Sequence, residues 1–422
     1  MKATFFIALA LSALPLAARA GDTLTVQQCR DLAVQNSPLQ QRKLYAESIS
    51  ALQIANLHSN SLPRIHIGAQ ASWQSDVFGL PIESPFFKIP VVPKDQYKLS
   101  VDVAQRIWDG GSDRYLRQQR ELERELAAVQ VDVEVFQLRE LVTDLYFKAL
   151  LLQENEAILK TAKADLQTRL KQAEAAVTEG AALRTAADQV KIQILKIEQQ
   201  IAATQADEQT LKSMLAQWVG KIAADLQLRA PDGAFASMTS RYESRPEFRL
   251  FDAQQRGYSL GKDALALRNQ PRVEAFVQGG LGQPNPFNFF ETGIQPFALV
   301  GLRAVWTPID WGNKRRDAQV FDLQMKNVDA QRESLRQRLD ITLEKERAEQ
   351  AKMNQQLAQD DAIIALQTDI IRRAEAQVKN GVMTMTDYLA QTNLLTQSQL
   401  MRKTHELQAL QAREMWRAKT GD

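Results

Sequence analysis

The segment AAVTEGAALRTAAD, residues 175–188, decides how this chain folds. Its Gly180 is the only glycine in residues 112–219, and the same stretch contains no proline. Glycine commonly ends a helix in the left-handed conformation, whereas glycine and proline are both unfavourable inside a helix. The sequence therefore predicts two very long helices, joined as a hairpin that turns at Gly180.

Residues 376–389, AQVKNGVMTMTDYL, have the same layout around Gly381. Gly381 is likewise the only glycine in residues 313–420, which also lack proline. Two spacings recur between the halves: 25 residues for Pro38–Pro63 and Pro246–Pro271, and 40 residues for Gly180–Gly220 and Gly381–Gly421. The chain is therefore predicted to contain one unit twice, as repeat 1 (21–230) and repeat 2 (231–422).

Each repeat is predicted to place a strand hairpin before its helical hairpin. Repeat 1 comprises helices at 24–36 and 38–60, strands at 64–75 and 97–108, and the helical hairpin 112–219. Repeat 2 comprises a helix at 246–269, strands at 272–281 and 297–307, and the helical hairpin 313–420. The fold class is α+β, with strands and helices in separate stretches of the chain.

The predicted strands have one apolar and one polar face. In the first strand the apolar face consists of Ile65, Ile67, Ala69, Ala71 and Trp73. The alternating positions are polar or small, because successive side chains of a strand point to opposite faces. Such a strand fits a sheet with lipid or protein on one side and water on the other.

The first residues indicate export. Lys2, an apolar run and Ala18-Arg19-Ala20 predict a signal peptide at 1–20, which is cleaved before Gly21. Removing Lys2 and Arg19 leaves 50 of the 52 basic residues against 50 acidic ones, a balance that argues against a nucleic-acid partner. Cys29 is the only cysteine, so no internal disulfide is possible, and its position predicts no lipid anchor.

No stretch after the signal approaches the roughly 20 apolar residues of a membrane-spanning helix, so any crossing would use strands. Four strands cannot close a barrel, whereas two chains would supply eight and three would supply twelve. Twelve strands leave a lumen, which suits the polar faces better than eight. Those faces include Arg64, His66, Lys98, Asp102 and Arg303.

The ordered set of local motifs resembles the TolC-type outer-membrane efflux and secretion channels over essentially the whole mature chain. The motifs are Leu24-Thr25-Val26 to Asn36-Ser37-Pro38, the turns Ile107-Trp108-Asp109-Gly110-Gly111 and Pro308-Ile309-Asp310-Trp311-Gly312, Arg245-Pro246-Glu247, and the two glycine tips. The resemblance implies a homotrimer with one twelve-stranded barrel in outer-membrane lipid, continuous with an α-helical coiled-coil tunnel in the periplasm. It further implies a passive duct, without enzyme activity or cofactor, that docks a periplasmic adaptor and an inner-membrane pump.

By the same resemblance, the glycine tips are the adaptor-docking residues: Gly180, Ala181, Ala182, Leu183, Arg184 and Thr185, with Gly381, Val382, Met383, Thr384, Met385 and Thr386. Asp387 matches an acidic position that often rings the closed periplasmic mouth, so it is the candidate pore gate. Two other positions that are often acidic in the family carry Ala390 and Ala186 here.

Three further interpretations compete with this one. Gly257-Tyr258-Ser259-Leu260-Gly261 fits the G-x-S-x-G pattern of a hydrolase, but the preceding residues predict helix where a nucleophile elbow needs a strand. His58, His66 and His405 are the only histidines and lack metal-ligand spacing. An exported coiled-coil spacer or adaptor without a pore would need no strand hairpins in either repeat.

Overall fold

The computed structural model describes residues 23–78, 91–231, 242–288 and 291–420. The predicted signal peptide at 1–20 lies outside these residues. Among the helices that they form, none is both long enough and apolar enough to cross a membrane.

The elements of the two repeats follow a similar order, but among the described residues two helices precede the strand hairpin of repeat 1 and one precedes that of repeat 2. In chain order they are β1 (Thr23–Leu24), α1 (Val26–Asn36), α2 (Leu39–Ser59), β2 (Arg64–Trp73), β3 (Asp95–Trp108), α3 (Ser112–Thr178), α4 (Arg184–Val219), β4 (Gln227–Leu228), α5 (Pro246–Ala264), β5 (Arg272–Gln283), β6 (Gln295–Val305), α6 (Asn313–Lys379) and α7 (Met385–Thr420). Helices α3 and α6 both contain 67 residues, and α4 and α7 both contain 36. Helix α6 starts and ends 201 positions after α3, and α7 starts and ends 201 positions after α4.

An aspartate that lies just before each 67-residue helix accepts hydrogen bonds from its N-terminal backbone. Asp109 accepts hydrogen bonds from the backbone N–H groups of Gly111 at 2.8 Å and Asp113 at 2.6 Å. Asp310 accepts the equivalent bonds in repeat 2, at 3.0 and 2.9 Å. These carboxylates satisfy N–H groups that the first helical turn leaves without a partner. The backbone bonds contribute to holding the pKa of both carboxyls below its usual value, against the opposing effect of desolvation.

The chain forms two compact units, and each contains parts of both repeats. The first consists of the described parts of Met1–Ser37, Val135–Tyr242 and Asp340–Asp422. Ten buried side chains from α3, α4, α6 and α7 form one core there: Leu159, Ala162, Leu166, Val190, Ile194, Ile197, Ile201, Ala374, Tyr388 and Leu389. The four residues from α4 lie at steps of four, three and four, as expected for a coiled-coil seam.

Buried polar contacts link the first elements of the chain to the long helices of the first unit. Arg30 of α1 donates to Thr143 Oγ1 of α3 at 2.8 Å and to Glu414 of α7, at 3.0 Å for its backbone oxygen and 3.4 Å for its carboxylate. The short strands β1 and β4 pair in parallel, and the hydroxyl of Tyr146 bonds the backbone oxygen of Leu24 at 2.7 Å. These contacts join the start of the chain to both long hairpins.

The second unit, Pro38–Glu134 and Glu243–Leu339, contains the main sheet. Its strands lie in the order β2-β3-β5-β6, and every neighbouring pair is antiparallel. The two predicted strand hairpins therefore join through β3 and β5. Strands β2 and β6 are the edges of this four-stranded sheet.

Several predicted bounds need correction. Leu24, predicted as helical, lies in β1, and β4 was not predicted at all. The helix predicted at 38–60 begins at Leu39, and the one predicted at 246–269 ends as an α-helix at Ala264 with a 3-10 turn to Asn269. The strands are also shifted at their ends: β3 starts at Asp95, β5 continues to Gln283, and β2 and β6 stop at Trp73 and Val305.

Candidate functional site

The first tip is a complete helix-ending motif. Gly180 has a φ of +70°, and its N–H donates to Val177 O at 3.1 Å. The N–H of Ala181 reaches Ala176 O at 2.8 Å. This pair of bonds is the Schellman arrangement, in which a left-handed residue lets two N–H groups satisfy the last carbonyls of the helix.

The second tip repeats that backbone. Gly381 has a φ of +71°, and its N–H donates to Val378 O at 3.1 Å, while the N–H of Val382 donates to Gln377 O at 2.9 Å. A Cβ built on either glycine would meet no atom within 4 Å. Glycine is therefore required at both tips for its backbone conformation, since space alone would admit a side chain.

The two tips differ where their second helices begin. In the second tip Thr384 Oγ1 accepts from the N–H of Asp387 at 3.1 Å and donates to the Asp387 carboxylate at 2.6 Å. Leu183 occupies the equivalent position of the first tip, where no side chain caps the helix. The backbone N–H and the carboxylate of Asp387, the candidate gate acid, thus both take part in the cap at the start of α7. Its side chain is exposed.

Most of the predicted docking residues are exposed. Leu183 and Val382 expose 78% and 77% of their surface, and they present apolar side chains to solvent. Gly180, Ala181, Arg184, Thr185, Gly381, Thr384 and Thr386 are also exposed. Ala182, Met383 and Met385 are half-buried, and both methionines pack against the core of the first unit.

A groove of about 470 Å³ lies beside the tips, lined by residues from all four helices of the two hairpins. Arg169 of α3 and Glu375 of α6 form an ion pair across it, with an N–O distance of 2.5 Å, and Arg169 also lies 5.5 Å from the ring of Tyr388. The hydrogen bond from Arg169 holds the pKa of Glu375 below its usual value. The sequence analysis missed this pair because its members are 206 residues apart and carry no local signal.

The main sheet exposes its apolar face. Ile67 on β2 and Val300 and Leu302 on β6 have exposed fractions of 76%, 75% and 71%. The opposite face is enclosed only locally, because Ser100 on β3 is 6% exposed whereas Arg64, His66 and Gln70 on β2 are exposed. Sheets of water-soluble proteins bury their apolar face, so an exposed apolar face fits contact with lipid.

Exposed aromatic residues mark both ends of the apolar face. Tyr97 and Trp73 lie at one end, and Trp108 lies at the other with Trp306, which follows β6. Tyr97 and Trp108 are 11 residues apart on β3. At about 3.3 Å per residue and a tilt of about 45°, that separation spans about 25 Å across a layer, which matches the apolar band of outer-membrane strands.

The competing sites have no supporting geometry. Gly257 and Gly261 both lie inside α5, so Ser259 is not on a strand-to-helix turn. Within the described residues, no group of three or more His, Cys, Asp or Glu side chains could hold a metal ion. His405 instead pairs with Asp360, with 2.6 Å between Nδ1 and Oδ2.

Comparison with solved structures identifies the fold. The chain is similar to the outer membrane protein VceC from Vibrio cholerae, with a TM-score of 0.66, 13% identity, and coverage of 94% of this chain and 96% of that one. It is also similar to the CmeC outer membrane channel of Campylobacter jejuni, with a TM-score of 0.66, 12% identity, and coverage of 100% and 93%. The open-state MtrE outer membrane channel of Neisseria gonorrhoeae gives a TM-score of 0.66, 15% identity, and coverage of 94% and 88%.

No protein-family model and no curated protein matches the sequence. The structural matches nevertheless extend over nearly the whole chain, so its α+β fold is that of the TolC-type outer-membrane channels, as the sequence resemblance predicted.

Proposed function

We propose that this chain is the outer-membrane channel of a tripartite efflux or type I secretion system. The observation that carries the proposal is the exposed apolar face of the sheet, bounded by aromatic residues, on a fold shared with outer-membrane channels. Lipid is the partner that an exposed apolar band of this height fits. The outer membrane is therefore the proposed location, after removal of the predicted signal peptide.

The proposed assembly is a homotrimer. The four-stranded sheet ends at β2 and β6, and each edge presents backbone N–H and C=O groups that lipid cannot satisfy. Pairing β6 of one chain with β2 of the next removes both edges, and three chains close a twelve-stranded barrel that is wide enough for a lumen. The polar face of each sheet would line that lumen.

The tips are the proposed docking site for a periplasmic adaptor coupled to an inner-membrane pump. Leu183 and Val382 support this role, because each exposes an apolar side chain next to a rigid, hydrogen-bonded turn. Small neighbouring residues leave room for a partner helix. Asp387 is the proposed gate acid, since three symmetry-related carboxylates at a narrow mouth would repel one another and attract cations.

Two substitutions at adjacent positions of β2 test the membrane role. Ile67→Arg places a charge on the apolar face, where it costs roughly 2–4 kcal/mol at the bilayer midplane. His66→Arg places the same side chain on the polar face and serves as the matched control. We expect Ile67→Arg to reduce the heat-modifiable trimer in outer-membrane fractions, whereas His66→Arg assembles normally.

A soluble periplasmic monomer for the unsubstituted chain would contradict the proposal and favour the spacer interpretation. Equal assembly of both variants would show that the apolar face does not meet lipid.

A further inference from the structure

The polar face of the sheet carries a band of arginines at the end where the strands adjoin the long helices. Arg64 lies on β2, Arg106 on β3, Arg272 on β5 and Arg303 on β6, so every strand contributes one. The band is a local feature, because basic and acidic residues nearly balance over the whole chain, at 52 and 50.

Strand register places these side chains on one face and at one level. Arg106 pairs with Glu274 of β5, and Glu274 pairs with Arg303 of β6. Arg64 pairs with Ala104, two residues from Arg106. Directly paired residues share a face, as do residues two apart on one strand, so the arginines form a row across the sheet.

Hydrogen bonds confirm that two of them are neighbours. Arg64 donates to the side-chain oxygen of Asn60 at 2.7 Å, and Arg106 donates to the backbone oxygen of the same residue at 3.2 Å. Arg303 also lies 5.1 Å from the ring of Phe276, which is on the same face.

Nearby carboxylates offset three of these four charges. Glu274 lies 3.7 Å from Arg303, Asp113 lies 3.6 Å from Arg106, and Asp109 is also close enough to Arg106 to interact with its charge. Farther along the polar face, Lys98 and Asp102 carry opposite charges. Four arginines against Glu274, Asp113 and Asp109 leave an excess of one positive charge per chain in the band. Guanidinium groups stay protonated at any physiological pH, so this excess is permanent.

We infer that the arginine band makes the lumen selective for anions, so that the preferred cargo is anionic small molecules. The inference rests on the proposed function, in which the polar faces of three chains surround one lumen. The band would then recur three times and form a closed ring of positive charge. Rings of Arg or Lys side chains favour anions, because the positive charge compensates an anion for the hydration that it loses in the pore. The inference concerns the strand region, so all channels in the test carry Asp387→Asn, which removes the cation-attracting ring proposed at the tips.

The test measures ion selectivity of the full-length protein in planar lipid bilayers under a tenfold KCl gradient. At an ionic strength of about 0.1 M, where the Debye length is about 10 Å, we expect a reversal potential that indicates chloride preference. Arg64→Gln and Arg303→Gln are each expected to reduce the chloride-to-potassium permeability ratio about twofold, the order that Coulomb's law gives for one charge at that distance. The differences should shrink near 1 M salt, where the Debye length is about 3 Å.

Glu274→Gln is the matched control, because it removes a charge of opposite sign from the same row. It should raise the chloride preference. Arg272→Gln should lower the chloride preference, and it replaces an arginine variant that fails to assemble. Conducting channels that prefer potassium, or whose permeability ratio is the same in all variants, would overturn the anion assignment and leave the proposed function intact. A protein that inserts no conductance would count against the proposed function itself.

Discussion

Replacing Leu183 with threonine should strengthen the first tip and weaken its docking at the same time. Leu183 occupies the N-cap of α4, a position where Ser, Thr, Asp and Asn are strongly preferred and Leu is poor. Thr384, its counterpart in the second tip, accepts a hydrogen bond from the N–H of Asp387 at 3.1 Å. A leucine that is 78% exposed at such a position benefits neither the helix nor the core.

The expected magnitudes follow from these contacts. A threonine cap contributes about 1 kcal/mol, and loss of the small buried part of Leu183 costs about 0.5 kcal/mol, so the tip gains about 0.5 kcal/mol. Burial of the exposed part of Leu183 against an adaptor would contribute about 1–2 kcal/mol, so docking should weaken about tenfold. The same substitution thus moves stability and function in opposite directions.

Two assays separate these effects. Hydrogen exchange of the first amides of α4 should slow about twofold in Leu183→Thr, since 0.5 kcal/mol changes a local opening equilibrium by about that factor. Export in cells should fall while the proposed trimer forms normally. Thr384→Leu is the reverse substitution at the second tip, and it should speed hydrogen exchange of the first amides of α7. Normal export by Leu183→Thr would refute the docking role, and unchanged exchange would refute the cap argument.

Two predictions concern the buried interior of the first unit. Glu414→Gln should destabilise the folded protein by about 3 kcal/mol, measured as a lower melting temperature, because the carboxylate contacts the buried guanidinium groups of Arg30 and Arg413 and its loss leaves buried positive charge. A melting temperature equal to wild type would contradict this. Burial raises the pKa of the Cys29 thiol from 9.0 to about 12, so the folded protein should not react with iodoacetamide at pH 9, whereas the urea-unfolded protein should react fully. The folded thiol keeps a proton that the unfolded chain loses, so the contribution of Cys29 to stability should also fall as pH rises between about 9 and about 12.

The sequence predicted those features whose causes are local. Gly180 and Gly381 punctuate stretches that otherwise favour helix, and both have the left-handed backbone that a helix end requires. Period-two alternation identified all four strands of the sheet, since one apolar and one polar face impose a pattern along each strand. The bounds erred by a few residues because strand ends depend on hydrogen bonds to a neighbour that the pattern does not specify.

Contacts between distant segments could not be predicted in the same way. Strands β1 and β4 contain two residues each, too short for any period. The ion pair of Arg169 with Glu375 joins residues that each look like ordinary charges on a helix surface. Arg30 and Glu414 are similarly charged residues on helices, yet both are almost completely buried. Only the packing of all four long helices determines which charges become enclosed.

The two repeats conserve geometry while they differ in chemistry. Their long helices match in length to the residue, and their tips use the same hydrogen bonds. Gly110 and Trp311 occupy equivalent positions with φ values of 69° and 55°, although the left-handed conformation costs tryptophan roughly 1–2 kcal/mol. Six equivalent tips in the proposed trimer would therefore share one backbone shape while two kinds of surface alternate around the ring. Leu183 would recur three times between three copies of Thr384 and Asp387, so an adaptor would meet an apolar side chain at the helix start of one tip and a hydroxyl and a carboxylate at the helix start of the next.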